Sequence, residues 1–343
     1  MPTNPIIQPM TLPRRAYVQA LLASTLPGVP LYVRAQTLGA EVVNETWVDT
    51  ARSREIPIKI RWPGAAALPG ERPVVIFSHG LGGTVEGGTV WGEAWAAAGF
   101  VVLHLQHRGS DLDAVRAVTS TFTDQRALQS VANADQFMAR LRDVVHVLDE
   151  LARRQAALDG RGGGRWTNTR PNQVGMSGHS FGAQTTLAMA GQRFPGYLGL
   201  TEPRLASYVA FSPAIPLQMD ARRSFEPVER PVLSITGTLD SDVVGVGNTA
   251  ERRFRVFGAL PAGRKAHLVL KDADHMTFAG QVGAPAEIIP RASVTRELQA
   301  AHHALLARVT ADWWRATLQD DASARERLKR PTGLLAGDLW EQG

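Results

Sequence analysis

A G-x-S-x-G pentapeptide at residues 178–182, centred on Ser180, limits the fold of this chain more than any other sequence feature. It follows a short strand-like segment over residues 171–177 and precedes residues 183–190, which are rich in helix formers. A strand, a sharp turn and a helix in this order are typical of a nucleophile elbow, where flanking glycines let the strand and helix approach closely. The pattern also occurs in ordinary turns, but this context predicts Ser180 as a catalytic nucleophile.

A glycine-rich loop at residues 79–83 follows an apolar, strand-like segment over residues 74–78. Acyl transfer passes through a tetrahedral oxyanion, and backbone N–H donors must already be in place to stabilise it. In enzymes with a nucleophile elbow, one donor is the residue after the nucleophile, here Phe181, and the other lies in the loop after the third strand. Leu81 is the best candidate for the second donor. A plain βα turn is the alternative for this loop, but the elbow further along the chain favours an oxyanion hole.

An acid is predicted at Asp240, in the loop after a strand-like segment over residues 231–237. A carboxylate at the carboxyl end of a late parallel strand can reach a catalytic base at the same sheet edge. Asp242 is the alternative acid, although its side chain is also suited to capping a local turn.

The catalytic base should follow the acid along the chain, because that is the order of the triad in this class of fold. The sequence offers four such residues: His267, His275, His302 and His303. Two of them fall within a predicted helix and one opens a predicted strand, whereas His275 follows that strand at the edge shared with Ser180 and Asp240. The predicted triad is therefore Ser180, Asp240 and His275, with serine as nucleophile, histidine as base and aspartate as its orienting partner.

Apolar residues around these motifs predict the character of the substrate pocket. Met276 and Phe278 follow the catalytic histidine, and with Leu81 and Phe181 we expect them to surround the acyl group. Packing in the core is the alternative role for some of them. Since the three catalytic motifs contain no Lys or Arg, we expect a short, neutral acyl group.

Alternating strand-like and helical segments predict a mostly parallel central sheet with helices on both faces. With the nucleophile elbow, this pattern is typical of an α/β-hydrolase fold. Residues 41–48 and 55–62 alternate apolar and polar side chains, which predicts an antiparallel hairpin at the N-terminal edge of the sheet. We assign the catalytic domain to residues 36–320, with a lid insertion at 112–135. A charged and then glycine-rich tail at 321–343 carries no motif that we interpret.

Composition fits one large globular enzyme. The chain has 343 residues, 44% of them hydrophobic, and a formal charge of +5. Its basic residues are scattered, so we expect no nucleic-acid partner. The chain contains no cysteine, which excludes disulfides and a thiolate nucleophile. No apolar run reaches the ~20 residues of a membrane span. We expect an ester as substrate, small or polymeric, with no organic cofactor and no metal.

The first 35 residues resemble an export signal. Arg14 and Arg15 precede a mildly apolar stretch, as in a twin-arginine signal, and residues 33–35 suit a signal peptidase. The segment predicts a periplasmic or secreted protein. A loose N-terminal arm on a cytoplasmic enzyme is the alternative.

Four segments together resemble a known family: Phe77–Gly83, Gln106–Ser110, Gly178–Gly182 and Thr236–Asp240. They are similar to α/β-hydrolases of the platelet-activating-factor acetylhydrolase and dienelactone-hydrolase-like group. The resemblance implies a serine carboxylic-ester hydrolase, and related exported enzymes act on short acyl esters or on polyesters. A peptidase or amidase with the same triad remains an alternative, as does a non-catalytic binding protein on a hydrolase scaffold.

Overall fold

The computed structural model describes residues 40–64, 71–157 and 164–343. Over these ranges the chain folds around a single mixed sheet of nine strands. The predicted twin-arginine segment, residues 1–35, lies outside the described residues.

The strands are, in chain order, β1 (Glu41–Asp49), β2 (Arg54–Trp62), β3 (Arg72–Ser78), β4 (Val101–Leu105), β5 (Thr169–His179), β6 (Leu205–Phe211), β7 (Val232–Leu239), β8 (Lys265–Asp274) and β9 (Leu339–Gln342). The α-helices are α1 (Thr89–Ala97), α2 (Leu112–Arg116), α3 (Gln125–Val131), α4 (Ala134–Ala156), α5 (Phe181–Met189), α6 (Ala221–Phe225), α7 (Ala250–Ala259), α8 (Ser293–Leu318) and α9 (Ala322–Lys329). Short 3₁₀ helices cover Gly164–Asn168, His275–Ala279 and Ala284–Glu287. None of the helices in the described ranges has both the length and the apolar character that a membrane crossing needs.

The strand order is β1-β2-β4-β3-β5-β6-β7-β8-β9. The six strands from β4 to β8 pair in parallel, while β1 pairs antiparallel with β2 and β2 with β4. This confirms the predicted α/β-hydrolase fold with an antiparallel N-terminal edge. Because parallel strands end at the same side, the segments that follow β3, β5, β7 and β8 meet at one edge of the sheet.

Two apolar cores lie on opposite faces of this sheet. Successive residues of a strand point to opposite faces, and along β3 Ile76 belongs to one core while Val75 and Phe77 belong to the other. Helices α4 and α5 cover the first face, and α1 and α8 cover the second. The parallel strands are buried on both sides, so the edge that carries the site is held rigidly.

The C-terminal residues 321–343 belong to the same compact unit as the rest of the described chain, which corrects the predicted domain end at residue 320. Helix α9 buries Ala324 and Leu328, and β9 pairs antiparallel with β8. The indole N–H of Trp340 donates to the carbonyl of Leu328 at 2.8 Å, which ties the last strand to the last helix. The segment was not recognised because a strand of four residues has too short a pattern to stand out in the sequence.

The predicted lid region, residues 112–135, forms α2, α3 and their connection, and extends to the start of α4. Val115, Leu128 and Val131 build a small apolar cluster of their own, against which Leu81 packs. The segment therefore rests directly on the predicted oxyanion loop.

Candidate active site

The elbow around Ser180 has the strained geometry that its sequence predicts. Ser180 stands between β5 and α5 with φ 56° and ψ −114°, a backbone conformation that costs energy in a residue other than glycine. Its N–H donates to the carbonyl of Phe211 at 3.0 Å. A Cβ on Gly182 would overlap the carbonyl oxygen of Ser78, and one on Gly178 would overlap the carbonyl of Gly182. Both glycines are therefore required by close backbone contact.

The predicted base and acid are in direct contact. The Nδ1 atom of His275 lies 2.7 Å from Oδ1 of Asp240, and that carboxylate is completely buried. The hydroxyl of Thr236 donates to the other carboxylate oxygen at 2.7 Å. With its Nδ1–H donated to Asp240, the His275 ring presents Nε2 as the atom free to accept a proton.

Arg253 on α7 is a buried partner of the acid that sequence reasoning missed. Its Nε atom lies 3.1 Å from Oδ1 of Asp240, and its guanidinium also donates to the carbonyls of Ser212 and Pro213. Burial by itself would raise the pKa of Asp240, but the charge of Arg253 and the hydrogen bond from His275 hold that pKa well below its usual range. Asp240 is therefore ionised at neutral pH.

The alternative acid, Asp242, caps a turn instead. Its carboxylate accepts backbone N–H groups from Val244 at 3.0 Å, Gly245 at 2.9 Å and Asn248 at 3.1 Å. These bonds order the loop between β7 and α7. The structure thus brings Asp240, and not Asp242, to the histidine.

The three other candidate histidines are buried away from Ser180. The Nδ1 atom of His267 lies 2.7 Å from the hydroxyl of Ser234, and Nε2 of His303 donates to the carbonyl of Thr277 at 3.0 Å. His302 is fully buried in α8. Burial lowers the pKa of His267 and of His303 to about 4, so both rings are neutral.

Two cavities meet at Ser180 and His275. The small cavity has a volume of about 240 Å³ and a largely apolar wall that includes Leu112, Phe122, Leu128, Met276, Ile288 and Ile289. The large cavity measures about 470 Å³ and includes the amide side chains Gln184, Gln218 and Asn248. A substrate bound at the serine therefore has separate space for two arms of different polarity.

Three of the four predicted oxyanion and pocket residues line the cavities, and the fourth lies in the core. Leu81 lines both cavities, Phe181 begins α5 and lines the large cavity, and Met276 lines the small cavity. Phe278 lies in the hydrophobic core with no exposed surface, and its carbonyl accepts the indole N–H of Trp91 at 3.3 Å. This corrects the predicted contact of Phe278 with the acyl group, because the 3₁₀ helix after His275 turns that ring toward the sheet.

His179, the residue before Ser180, contacts the predicted base His275. Its Nε2–H donates to the carbonyl of His275 at 2.9 Å, and the two rings lie 4.6 Å apart. Burial, reinforced by the neighbouring His275, lowers the pKa of His179 well below its usual value, so the ring is neutral. A histidine next to Ser180 was visible in the sequence, but its contact depends on the segment after β8 reaching the end of β5 at the same edge of the sheet.

A second Ser-His-Asp arrangement lies behind the oxyanion loop. His107 places Nε2 2.9 Å from the hydroxyl of Ser78 and Nδ1 3.0 Å from the carboxylate of Asp143. All three side chains are fully buried. Burial, together with the charge of Arg140, lowers the pKa of His107 to about 4. Since no substrate reaches Ser78 there, this arrangement supports the loop rather than attacking an ester.

Metal ligation has no visible basis in the part of the chain that the structure describes, because no three His, Asp or Glu side chains there converge to hold an ion.

Comparison with known proteins points to the same class. Residues 8–159 match the family described as platelet-activating factor acetylhydrolase, isoform II. None of the curated proteins compared with the chain matches it. The matched segment contains the predicted oxyanion loop and ends before Ser180, so it includes none of the three residues of the predicted triad. The similarity supports a serine ester hydrolase in general.

Proposed function

From the resemblance of this chain to the platelet-activating factor acetylhydrolase family, we propose that it is a serine carboxylic-ester hydrolase that works through an acyl-enzyme. The observation that carries the proposal is the strained elbow at Ser180, which lines the same two cavities as His275, together with the hydrogen bond between His275 and Asp240. These groups open into an apolar cavity, where a substrate carbonyl is shielded from bulk water.

In the proposed mechanism, the Ser180 hydroxyl attacks the ester carbonyl while His275 Nε2 takes its proton. The negative charge on the carbonyl oxygen is stabilised by the N–H groups of Leu81 and Phe181. His275 returns the proton to the departing alcohol, then activates water to release the acid from Ser180. Asp240 stabilises the imidazolium in both steps, and it can do so because it stays ionised.

The two cavities support separate binding places for the two portions of the substrate on either side of the scissile bond. The small cavity, with its apolar wall and volume of about 240 Å³, suits a short, neutral acyl group. The large cavity, with its amide side chains, suits a more polar alcohol portion. A polyester falls within the same proposal, since neighbouring units of its chain could occupy both cavities.

A panel of p-nitrophenyl esters from acetyl to palmitoyl, assayed beside a p-nitroanilide, tests this function. We expect the highest kcat/KM between acetyl and hexanoyl, with a decline for longer chains, because each methylene that the small cavity cannot accommodate costs about 1–3 kcal/mol. We expect weak or no cleavage of the anilide. A maximum at palmitoyl would contradict the small acyl cavity, and faster amide than ester cleavage would favour the peptidase alternative.

We further propose that the N-terminal segment directs export to the periplasm or beyond. The basis is the pair Arg14 and Arg15 followed by a mildly apolar stretch. Changing both arginines to lysine should leave the precursor in the cytoplasm, measured by cell fractionation with immunodetection. A mature wild-type protein that keeps residues 2–30 would contradict export by cleavage of this segment.

A further inference from the structure

A buried arginine, Arg140 of α4, lies between the two residues that supply the oxyanion donors. Its guanidinium donates to the carbonyl of His79 at 2.7 Å and to the carbonyl of Gly80 at 3.3 Å. The same guanidinium lies 4.4 Å from the centre of the Phe181 ring. Arg140 has no exposed surface, so these contacts are made without competition from bulk water.

The carbonyl of Gly80 belongs to the same peptide unit as the N–H of Leu81. In a trans peptide these two groups point in opposite directions, and the described residues contain no cis peptide bond. The carbonyl of Gly80 also accepts the Nδ1–H of His79 at 2.6 Å and the N–H of Gly83 at 3.2 Å. Fixing this carbonyl on the α4 side therefore aims the N–H of Leu81 to the opposite side, where Leu81 and Ser180 line the same cavities.

We propose that Arg140 is the positioning residue of the oxyanion hole: it fixes the Gly80–Leu81 peptide so that the Leu81 N–H faces the oxyanion formed at Ser180. The inference rests on the proposed ester hydrolysis and adds to it a residue that touches neither substrate nor nucleophile. The guanidinium also polarises this peptide through its carbonyl, which makes the N–H a stronger donor.

The surroundings of Arg140 keep it charged and fixed. Burial lowers the pKa of Arg140 to about 9, which the nearby carboxylate of Asp143 opposes, so the guanidinium is protonated at neutral pH. Asp143 is itself held by Arg54 at 2.6 Å and Arg52 at 3.0 Å. The Nε atom of Arg140 donates to the hydroxyl of Ser110 at 2.8 Å, which sets the rotation of the guanidinium.

A purely structural arginine would stabilise the fold without affecting the transition state. Arg61 of β2 provides a matched control, because it is also buried. Its contacts are with α1 instead, to Thr89 at 3.5 Å and to Glu93 at 3.8 Å. Substitution of Arg61 should change stability and leave ester turnover unaltered. The two arginines therefore separate a role in catalysis from a role in folding.

The test compares Arg140→Gln, Arg140→Lys and Arg61→Gln by steady-state kinetics on p-nitrophenyl acetate and by thermal unfolding. We expect Arg140→Gln to lower kcat about 100-fold with KM changed by less than about two-fold, because the lost interaction acts on the transition state. The kcat of Arg140→Lys should fall between the values of Arg140→Gln and wild type. Affinity for a trifluoromethyl ketone, which mimics the tetrahedral oxyanion, should fall in parallel with kcat/KM.

An Arg140→Gln protein that unfolds at a lower temperature but keeps the wild-type kcat would overturn the proposal. If that variant does not fold, Ser110→Ala takes its place, because it removes one acceptor of Arg140 and leaves the charge. We expect that variant to lose about five-fold in kcat at constant KM, and an unchanged kcat would again overturn the proposal. A wild-type protein that neither hydrolyses esters nor reacts at Ser180 would overturn the proposed function together with this inference.

Discussion

Replacing Ser180 with alanine is expected to leave the fold intact and to lower ester turnover by about 10⁵–10⁶-fold, because the acyl-enzyme can no longer form. The elbow can accept alanine, since the close contacts there involve the flanking glycines rather than the serine side chain. Steady-state turnover of p-nitrophenyl acetate, with circular dichroism as the check on folding, measures the effect.

Ser177→Ala is the matched control for this prediction. Ser177 lies on β5, three residues before Ser180, is fully buried, and donates its hydroxyl to the carbonyl of Ile76 at 3.0 Å. Losing that bond should cost about 1 kcal/mol of stability and leave kcat unchanged. Near-normal turnover in Ser180→Ala, or an equal loss in both variants, would contradict Ser180 as the nucleophile.

Replacing Asp240 with asparagine is expected to lower kcat on the order of 10⁴-fold, because an amide leaves His275 in the wrong tautomer and no longer stabilises the imidazolium. Asp242→Asn should cost far less, since that side chain caps a turn and does not contact the histidine. Both variants carry the same chemical change within one loop, so their ratio of kcat values isolates the contact with His275.

Stability is the second readout of the Asp240 variant. The substitution leaves the buried guanidinium of Arg253 without its carboxylate partner, so we expect a lower unfolding temperature as well. Asp242→Asn should unfold close to wild type. If Asp242→Asn were the more damaging change in kcat, the role of the acid would pass to Asp242.

The positions of Ser180, Asp240 and His275 in the fold could be predicted from the sequence because their constraints are local. Ser180 is marked by two glycines that backbone contact requires, and Asp240 and His275 each follow a strand of a parallel sheet. The fold then places these strand ends at the same edge of the sheet. Order along the chain and position after a strand were sufficient to choose His275 from four histidines.

The exact ends of the helices and strands could not be predicted from the sequence. Helix α1 begins at Thr89 rather than directly after the glycine-rich loop at residues 79–83, because Gly88 has φ 71° and cannot continue as helix. Strand β8 extends to Asp274, the residue before His275, because the pairing of Leu239 with Asp274 prolongs the β7–β8 ladder. The conformation of one glycine sets the start of α1, and pairing with a neighbouring strand sets the end of β8.

The residues that support the site could not be predicted, because their partners are distant in the chain. Arg140 contacts Gly80 across 60 residues, and Arg253 contacts the backbone of Asp240 across 13. Arg140 lies on the apolar stripe of α4, four residues before Val144, so the sequence does signal a buried charge. The pattern does not reveal which residues Arg140 contacts, because those contacts depend on the packing of α4 against the loop at residues 79–83.

The most direct test of the central claim is covalent labelling by a fluorophosphonate, with the modified residue located by peptide mass spectrometry. The probe reacts with a serine only where a base and an oxyanion hole act on it together. We predict a single modified peptide that carries the label on Ser180, with loss of activity in proportion to labelling. A label on another serine, or full inhibition with Ser180 unmodified, would contradict the assignment of this site.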